Sequence, residues 1–143
     1  MPNNTTTSFS AEERAAMKER AKEVKASARR GAAADTEGEV LAKIAEMADA
    51  DRELAERLHE VIKANAPALT AKLWYGMPGW AKDGRILCFY QPAAKFKTRY
   101  GTLGFNDNAA LDDGTFWPTA YALAELTPAV EKRIVELLRR AAG

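Results

Sequence analysis

The pattern of apolar residues changes near Pro67, from the spacing typical of helices to that of strands. Before it, apolar residues recur at three- and four-residue intervals, most firmly between Leu54 and Ile62, which indicates an amphipathic helix. After it, short aromatic and β-branched runs alternate with turn residues, among which Asp83-Gly84 is the strongest hairpin signal. A last helix begins after Thr127-Pro128. This order predicts an α+β fold, in which an antiparallel sheet of about four to five strands is covered on one face by helices.

The chain divides into three predicted parts. Residues 1–10 are polar and unpatterned, and we expect a disordered leader there. Residues 11–35 form an extra N-terminal helix and a linker, and the thin apolar stripe of this helix predicts weak packing. Residues 36–143 form the α+β domain.

Helix starts are marked by capping residues. Ser10 and Glu13 form a capping box, and Thr36 and Glu39 form a second one. Asp49 is expected to be the N-cap of the helix that ends before Pro67.

Five segments after Pro67 are predicted to build the sheet. Residues 72–75 form a strand, and the following Gly-Met-Pro-Gly run forces a turn or irregularity. Residues 80–82 and 85–91 flank the Asp83-Gly84 hairpin. Residues 96–105 are expected to form one long strand, and residues 115–124 an edge strand.

The composition excludes several chemistries. The 143 residues include one histidine and one cysteine, so a zinc site of the usual Cys/His kind cannot form within the chain, nor can an intramolecular disulfide. All three serines, at positions 8, 10 and 27, lie before the α+β domain, which opposes a serine-nucleophile triad. No apolar run approaches the ~20 residues of a membrane helix, and the net charge of +1 gives no reason to expect a nucleic acid or a membrane as partner. We expect a cytoplasmic protein.

Several motifs resemble one family. The run Trp-Tyr-Gly-Met-Pro at residues 74–78, followed by the Asp83-Gly84 hairpin and by Cys-Phe-Tyr at residues 88–90, resembles the YdhG-like family (domain of unknown function 1801). Residues 95–105 and Trp117-Pro118 are similar to one branch of it. The family belongs to the YjbR/CyaY-like superfamily. The resemblance implies a frataxin-like layering of helices on one face of an antiparallel sheet, and, because some members are called iron chaperones, a role as an iron carrier.

Carboxylates that could hold iron lie in the helix after residue 48. Glu53, Glu56 and Glu60 share one helical face, and Asp49 lies one turn earlier. Hard iron ions suit carboxylate oxygens, so these four residues are the candidate metal ligands. The alternative is a solvated helix surface with acids near its N-terminus. The first strand carries no acid, unlike the ridge expected of a frataxin-like relative.

A small-ligand pocket is predicted beside the Gly-Met-Pro-Gly bend. Its candidate lining residues are Tyr75, Met77, Trp80, Lys97 and Arg99. The two cations would lie with Lys95 on one side of the strand at residues 96–105, where they could hold an anionic molecule. The alternative is that these cations lie on a half-exposed edge of the sheet, where they keep the edge soluble and prevent a strand of another chain from pairing with it.

These features favour a non-catalytic binding module for a small molecule or a metal ion, with no cofactor implied beyond iron. The alternative is a protein-interaction or self-association domain that uses the N-terminal helix, so both a monomer and a homodimer stay open. An enzyme is not favoured, because no ordinary acid/base pair is visible. His59 is expected at the boundary of the core, and Cys88 in a buried strand, where thiols are usually inert.

Overall fold

The computed structural model describes residues 10–30 and 35–143, without the side chains of residues 25–30. The predicted leader, apart from Ser10, and part of the predicted linker lie outside the described residues. The described elements are α1 (Ala11–Arg30), α2 (Thr36–Ala45), α3 (Asp49–Asn65), β1 (Thr70–Trp74), β2 (Met77–Lys82), β3 (Arg85–Gln91), α4 (Ala93–Phe96), β4 (Gly101–Phe105), β5 (Ala120–Leu123) and α5 (Pro128–Ala141). The strands form one antiparallel sheet in the order β1-β2-β3-β4-β5. The predicted α+β fold, with helices packed on an antiparallel sheet, is confirmed.

Two predicted caps are present. The Ser10 hydroxyl accepts the Glu13 N–H at 3.0 Å, and the Glu13 carboxylate accepts the Ser10 N–H at 2.8 Å, so the capping box opens α1. The Thr127 hydroxyl accepts the Val130 N–H at 3.2 Å and opens α5, which has a proline in its first turn.

The other two caps were predicted one residue too late. Asp35 caps α2 by accepting the Gly38 N–H at 3.0 Å. The Thr36 hydroxyl instead donates to the Ala71 carbonyl at 2.7 Å and ties α2 to β1. Asp49 is the first residue of α3 and not its N-cap. For Thr36, the capping preference is therefore overruled by a hydrogen-bond partner in another element.

The core lies between one face of the sheet and the helices α2, α3 and α5. The strand register places Trp80 opposite Cys88, and Cys88 opposite Phe105, so these side chains share the covered face. The fully buried helical side chains that pack there are Val40, Ile44, Leu58, Ile62 and Leu138. No helix of the described residues is long and apolar enough to span a bilayer.

A turn occurs at Gly76, as the Gly-Met-Pro-Gly run predicts, but Met77, Pro78 and Gly79 belong to the strand β2 and not to a bend. The turn is the two-residue loop Tyr75-Gly76, whose φ angles of 53° and 78° are those of a tight hairpin. β2 then runs straight through Pro78, because the pairing of β2 with β3 begins only at Gly79, so no ladder hydrogen bond is lost at the proline. The irregularity of this strand is a shift of register between Trp80 and Ala81.

The long strand predicted for residues 96–105 is also wrong. Ala93–Phe96 forms the short helix α4, Lys97 ends it in the left-handed conformation (φ 57°), and β4 begins only at Gly101. Alternating basic and aromatic residues resembled a strand, but Pro92 starts a helical turn before them. The predicted edge strand is present as β5, and Pro118 precedes it.

Candidate functional site

A cavity of about 470 Å³ lies where α1, α2, α3 and α4 meet the β1–β2 turn. We call it the Lys95 cavity. Its lining residues are Glu19, Lys43, Glu46, Met47, Ala48, Asp51, Gly76, Pro92, Ala94 and Lys95. Charged groups of both signs therefore face a space that apolar side chains also border.

Lys95 is the cation of this cavity that lacks a carboxylate partner. No ion pair of the described residues includes it, and its Nζ lies at a long 3.5 Å from the Gly76 carbonyl oxygen. Burial, and then the positive charge of Lys43, lower the pKa of Lys95. The charges of three carboxylates oppose this lowering of the pKa only in part, those of Glu19, Glu23 and Glu46. The ammonium group has therefore lost part of its hydration without gaining an ion pair.

Lys43 is already neutralised within the protein. Its Nζ lies 3.0 Å from the Glu19 carboxylate and 4.0 Å from that of Glu46. The hydrogen bond from Lys43 lowers the pKa of Glu19. This pair joins α2 to α1 and fixes one wall of the cavity.

Asp51 fixes the opposite wall. Its carboxylate accepts the Ala94 N–H at 2.9 Å and so holds the first turn of α4 against α3. The Tyr90 hydroxyl is buried and has no hydrogen-bond partner among the described residues. Burial raises the pKa of Tyr90, and the charge of Asp51 acts in the same direction.

α1 is held to the rest of the chain mainly by polar contacts. The Glu23 carboxylate accepts the Tyr75 N–H at 2.9 Å and the Gly76 N–H at 2.7 Å, which covers the β1–β2 turn. The Arg20 guanidinium lies 5.7 Å from the centre of the Tyr75 ring. Among the described α1 side chains, Ala16 alone is buried. Because α1 supplies Glu19, the Lys95 cavity is complete only while α1 is docked.

Two of the predicted ligand-binding residues lie together, but not in this cavity. Tyr75 and Met77 border an open depression of about 300 Å³ on the other face of the sheet, beside Trp74 and Phe89. The rings of Trp74 and Phe89 are 4.7 Å apart between centroids. This depression is apolar, and α1 forms its rim through Met17.

The prediction that Trp80 lines an opening is wrong. Alternation along β2 places Trp80 on the core face, opposite to Met77, and its side chain is 1% exposed. The indole N–H donates to His59 Nδ1 at 3.2 Å. Neither Lys97 nor Arg99 lines the Lys95 cavity. Lys97 pairs with Glu12 at 2.7 Å, and the Arg99 guanidinium lies 5.2 Å from the ring of Tyr100.

The structure does not assemble the four candidate metal ligands. The carboxylate of Asp49 pairs with Arg52 at 2.9 Å, and that of Glu60 pairs with Arg57 at 3.1 Å. A seven-residue separation spreads carboxylates over about 10 Å of helix, so Glu53 and Glu60 cannot meet on one ion. In the part of the chain that the structure describes, no group of three or more His, Cys, Asp or Glu side chains could hold a metal.

His59 lies inside the core and not at its boundary. Its Nε2 lies 2.8 Å from the Glu37 carboxylate, which also accepts from Lys63 at 2.9 Å. Because indole is only a donor, His59 Nδ1 must be the acceptor for Trp80, so Nε2 carries the proton toward Glu37. The histidine is thus fully engaged in structure. Cys88 is buried, and burial raises its pKa to about 12, which fits the predicted inert thiol.

Comparisons with protein-family models, with curated proteins and with solved structures give no match to this chain. The resemblance to the YdhG-like family therefore stays an expectation. The Lys95 cavity was not predicted from the sequence. The charged residues of the cavity lie far apart in the sequence, from Glu19 to Lys95. The one local signal for the helix α4 was the helix-favouring Ala-Ala pair after Pro92.

Proposed function

We propose that this protein is a small-ligand binding module, and that its ligand carries a carboxylate or phosphate group which Lys95 binds. The observation that carries this proposal is an ammonium group without a carboxylate partner, partly desolvated at the wall of a 470 Å³ cavity. A lysine that loses hydration without an anion is destabilised, and a bound anion would restore the lost interaction.

The dimensions and the walls of the cavity support the proposal. Small-molecule sites typically measure about 300–1,000 Å³ and combine apolar lining with a few polar groups. Met47, Ala48 and Pro92 supply apolar surface for the body of a ligand. Helical segments and a hairpin turn supply the walls: α2 and α3 contribute side chains to the core, and the carboxylates of Asp51 and Glu23 hold α4 and the turn.

An iron-carrier role and self-association through α1 are not part of this proposal. The carboxylates of α3 that would hold iron are dispersed along its exposed face, and two of them pair with arginines. The polar contacts of α1 through Glu19 and Glu23 are made to its own chain.

Calorimetric titration of the full chain with small carboxylic acids, amino acids, inorganic phosphate and phosphate monoesters tests the proposal. We expect binding by at least one compound, loss of that binding in Lys95→Gln, and normal binding in Lys132→Gln. The control removes the same charge from an exposed position of α5. A ligand at about 100 times its Kd should also raise the free energy of unfolding by about 2.7 kcal/mol.

Two results would contradict the proposal. One is that no compound of the panel binds to the wild-type chain. The other is that Lys95→Gln binds the same compound as tightly as Lys132→Gln does.

A further inference from the structure

The charges of the Lys95 cavity do not favour a simple anion. Lys43 and Glu19 form an ion pair at 3.0 Å, so their charges largely cancel. Three charged side chains then remain on the lining, namely the cation Lys95 and the carboxylates Glu46 and Asp51. A ligand with negative charge alone would gain an attraction to Lys95 and suffer repulsion from two carboxylates.

The two carboxylates have acceptor capacity left for a ligand. Asp51 accepts one backbone N–H, from Ala94, while a carboxylate offers about four acceptor positions. Glu46 approaches Lys43 only at 4.0 Å, and its side chain is 70% exposed. Neither carboxylate is therefore saturated by the contacts described for it.

We infer that the ligand is a small zwitterion, with its carboxylate or phosphate on Lys95 and an ammonium group on Asp51, assisted by Glu46. The inference rests on the proposed function and adds the second charge that the ligand must carry. An amino acid or an amino-alcohol phosphate has this chemistry. The apolar surface of Met47 and Ala48 would then contact the carbon chain between the two charged groups.

Matched pairs of compounds that differ only in the amine test this inference. The pairs are β-alanine with propionate, and O-phosphoethanolamine with ethyl phosphate, titrated into the full chain by calorimetry. We expect the amine-bearing member of a pair to bind at least roughly tenfold more tightly than its partner.

Substitutions at Asp51 locate the ammonium group. Asp51→Asn removes the charge but keeps an oxygen that can accept the Ala94 N–H, so α4 should stay in place. We expect this variant to lose about tenfold in affinity for the amine-bearing compound, and to bind the amine-free compound equally well or better. Glu56→Gln, an exposed change on the same helix, is the control and should leave both affinities unchanged.

The outcomes separate this inference from the proposed function. If amine-free acids bind as tightly as their partners and still depend on Lys95, the zwitterion inference is wrong and the proposed function stands. If the amine-bearing compound binds equally well to Asp51→Asn and to the control, the placement of the ammonium is wrong. If no compound of either kind binds, the proposed function fails as well.

Discussion

One carboxylate of α1, that of Glu23, holds the β1–β2 turn, and Glu23→Gln tests how much this contact contributes to the docking of α1. Glu23 accepts two backbone N–H groups of the β1–β2 turn, from Tyr75 and Gly76, at 2.9 and 2.7 Å. Glutamine has a single side-chain oxygen, so one amide loses its acceptor and faces an NH₂ donor instead. A hydrogen bond to a charged group contributes about 1.5–3 kcal/mol to stability.

The pKa of Glu23 sets where in this range the effect should fall. Burial raises the pKa of Glu23 despite the two N–H groups, so folding favours its protonated form. The stability from this shift is fully present below the unfolded-state pKa and is lost as the pH rises through the folded-state pKa. At pH 7 glutamine thus avoids the cost of burying a charge. We expect Glu23→Gln to weaken the free energy of α1 docking by about 1.5 kcal/mol, which is roughly a tenfold change in the docking equilibrium.

Amide hydrogen exchange measured by NMR at pH 7 reports this equilibrium residue by residue. In Glu23→Gln the Tyr75 and Gly76 amides should exchange roughly tenfold faster, while the core strand β3 keeps its protection. Glu12→Gln is the matched control on the same helix, because Glu12 pairs with an exposed lysine, and it should change these two amides much less. Unchanged exchange at both amides in Glu23→Gln would show that this carboxylate does not hold α1 on the turn.

Two further predictions concern stability. A Cβ at Gly104 would lie 2.3 Å from the ring of Phe89, so Gly104→Ala should lower the free energy of unfolding by about 1–3 kcal/mol in urea titrations. Adding Phe89→Leu should recover part of the loss, and equal stability of Gly104→Ala and wild type would contradict this packing. Hydrogen bonds from Lys63 and then His59 lower the pKa of Glu37, so its contribution is present above the unfolded-state pKa and is lost as the pH falls. Glu37→Gln should therefore flatten the decline of stability between about pH 6 and pH 3, and identical slopes for both proteins would argue against this pairing.

The features predicted correctly from the sequence are local ones. The Ser10 capping box, the Thr127-Pro128 helix start and the Asp83-Gly84 hairpin each depend on a few neighbouring residues, and the structure contains all three. The α+β fold class was predicted correctly because the change from helical to strand spacing at Pro67 is also visible within short stretches of sequence.

The features predicted wrongly depend on partners that are distant in the sequence. Trp80 was assigned to a pocket, but the register of β2 with its neighbours decides which face it occupies, and a shift of one residue would reverse it. Residues 96–105 have an alternating pattern, yet α4 forms because Asp51 of α3 accepts the Ala94 N–H. The spacing of residues within one segment could reveal neither the strand register nor the hydrogen bond between Asp51 and Ala94.

The candidate site was missed for the same reason. Glu19, Lys43, Asp51 and Lys95 lie on four different helices and meet only after the sheet and α1 are in place. The unpaired state of Lys95 is a property of the assembled structure, since Glu19, a carboxylate of the same cavity, pairs with Lys43 instead.

A titration of the isotope-labelled full chain, followed by backbone amide NMR, shows whether a ligand binds in the Lys95 cavity. The probes are β-alanine, propionate, O-phosphoethanolamine and ethyl phosphate. We expect saturable shifts that centre on the amides of Gly76, Ala94 and Lys95 and disappear in Lys95→Gln. Shifts that centre on Trp74 and Phe89, or a spectrum that none of the four compounds changes, would contradict binding in the Lys95 cavity.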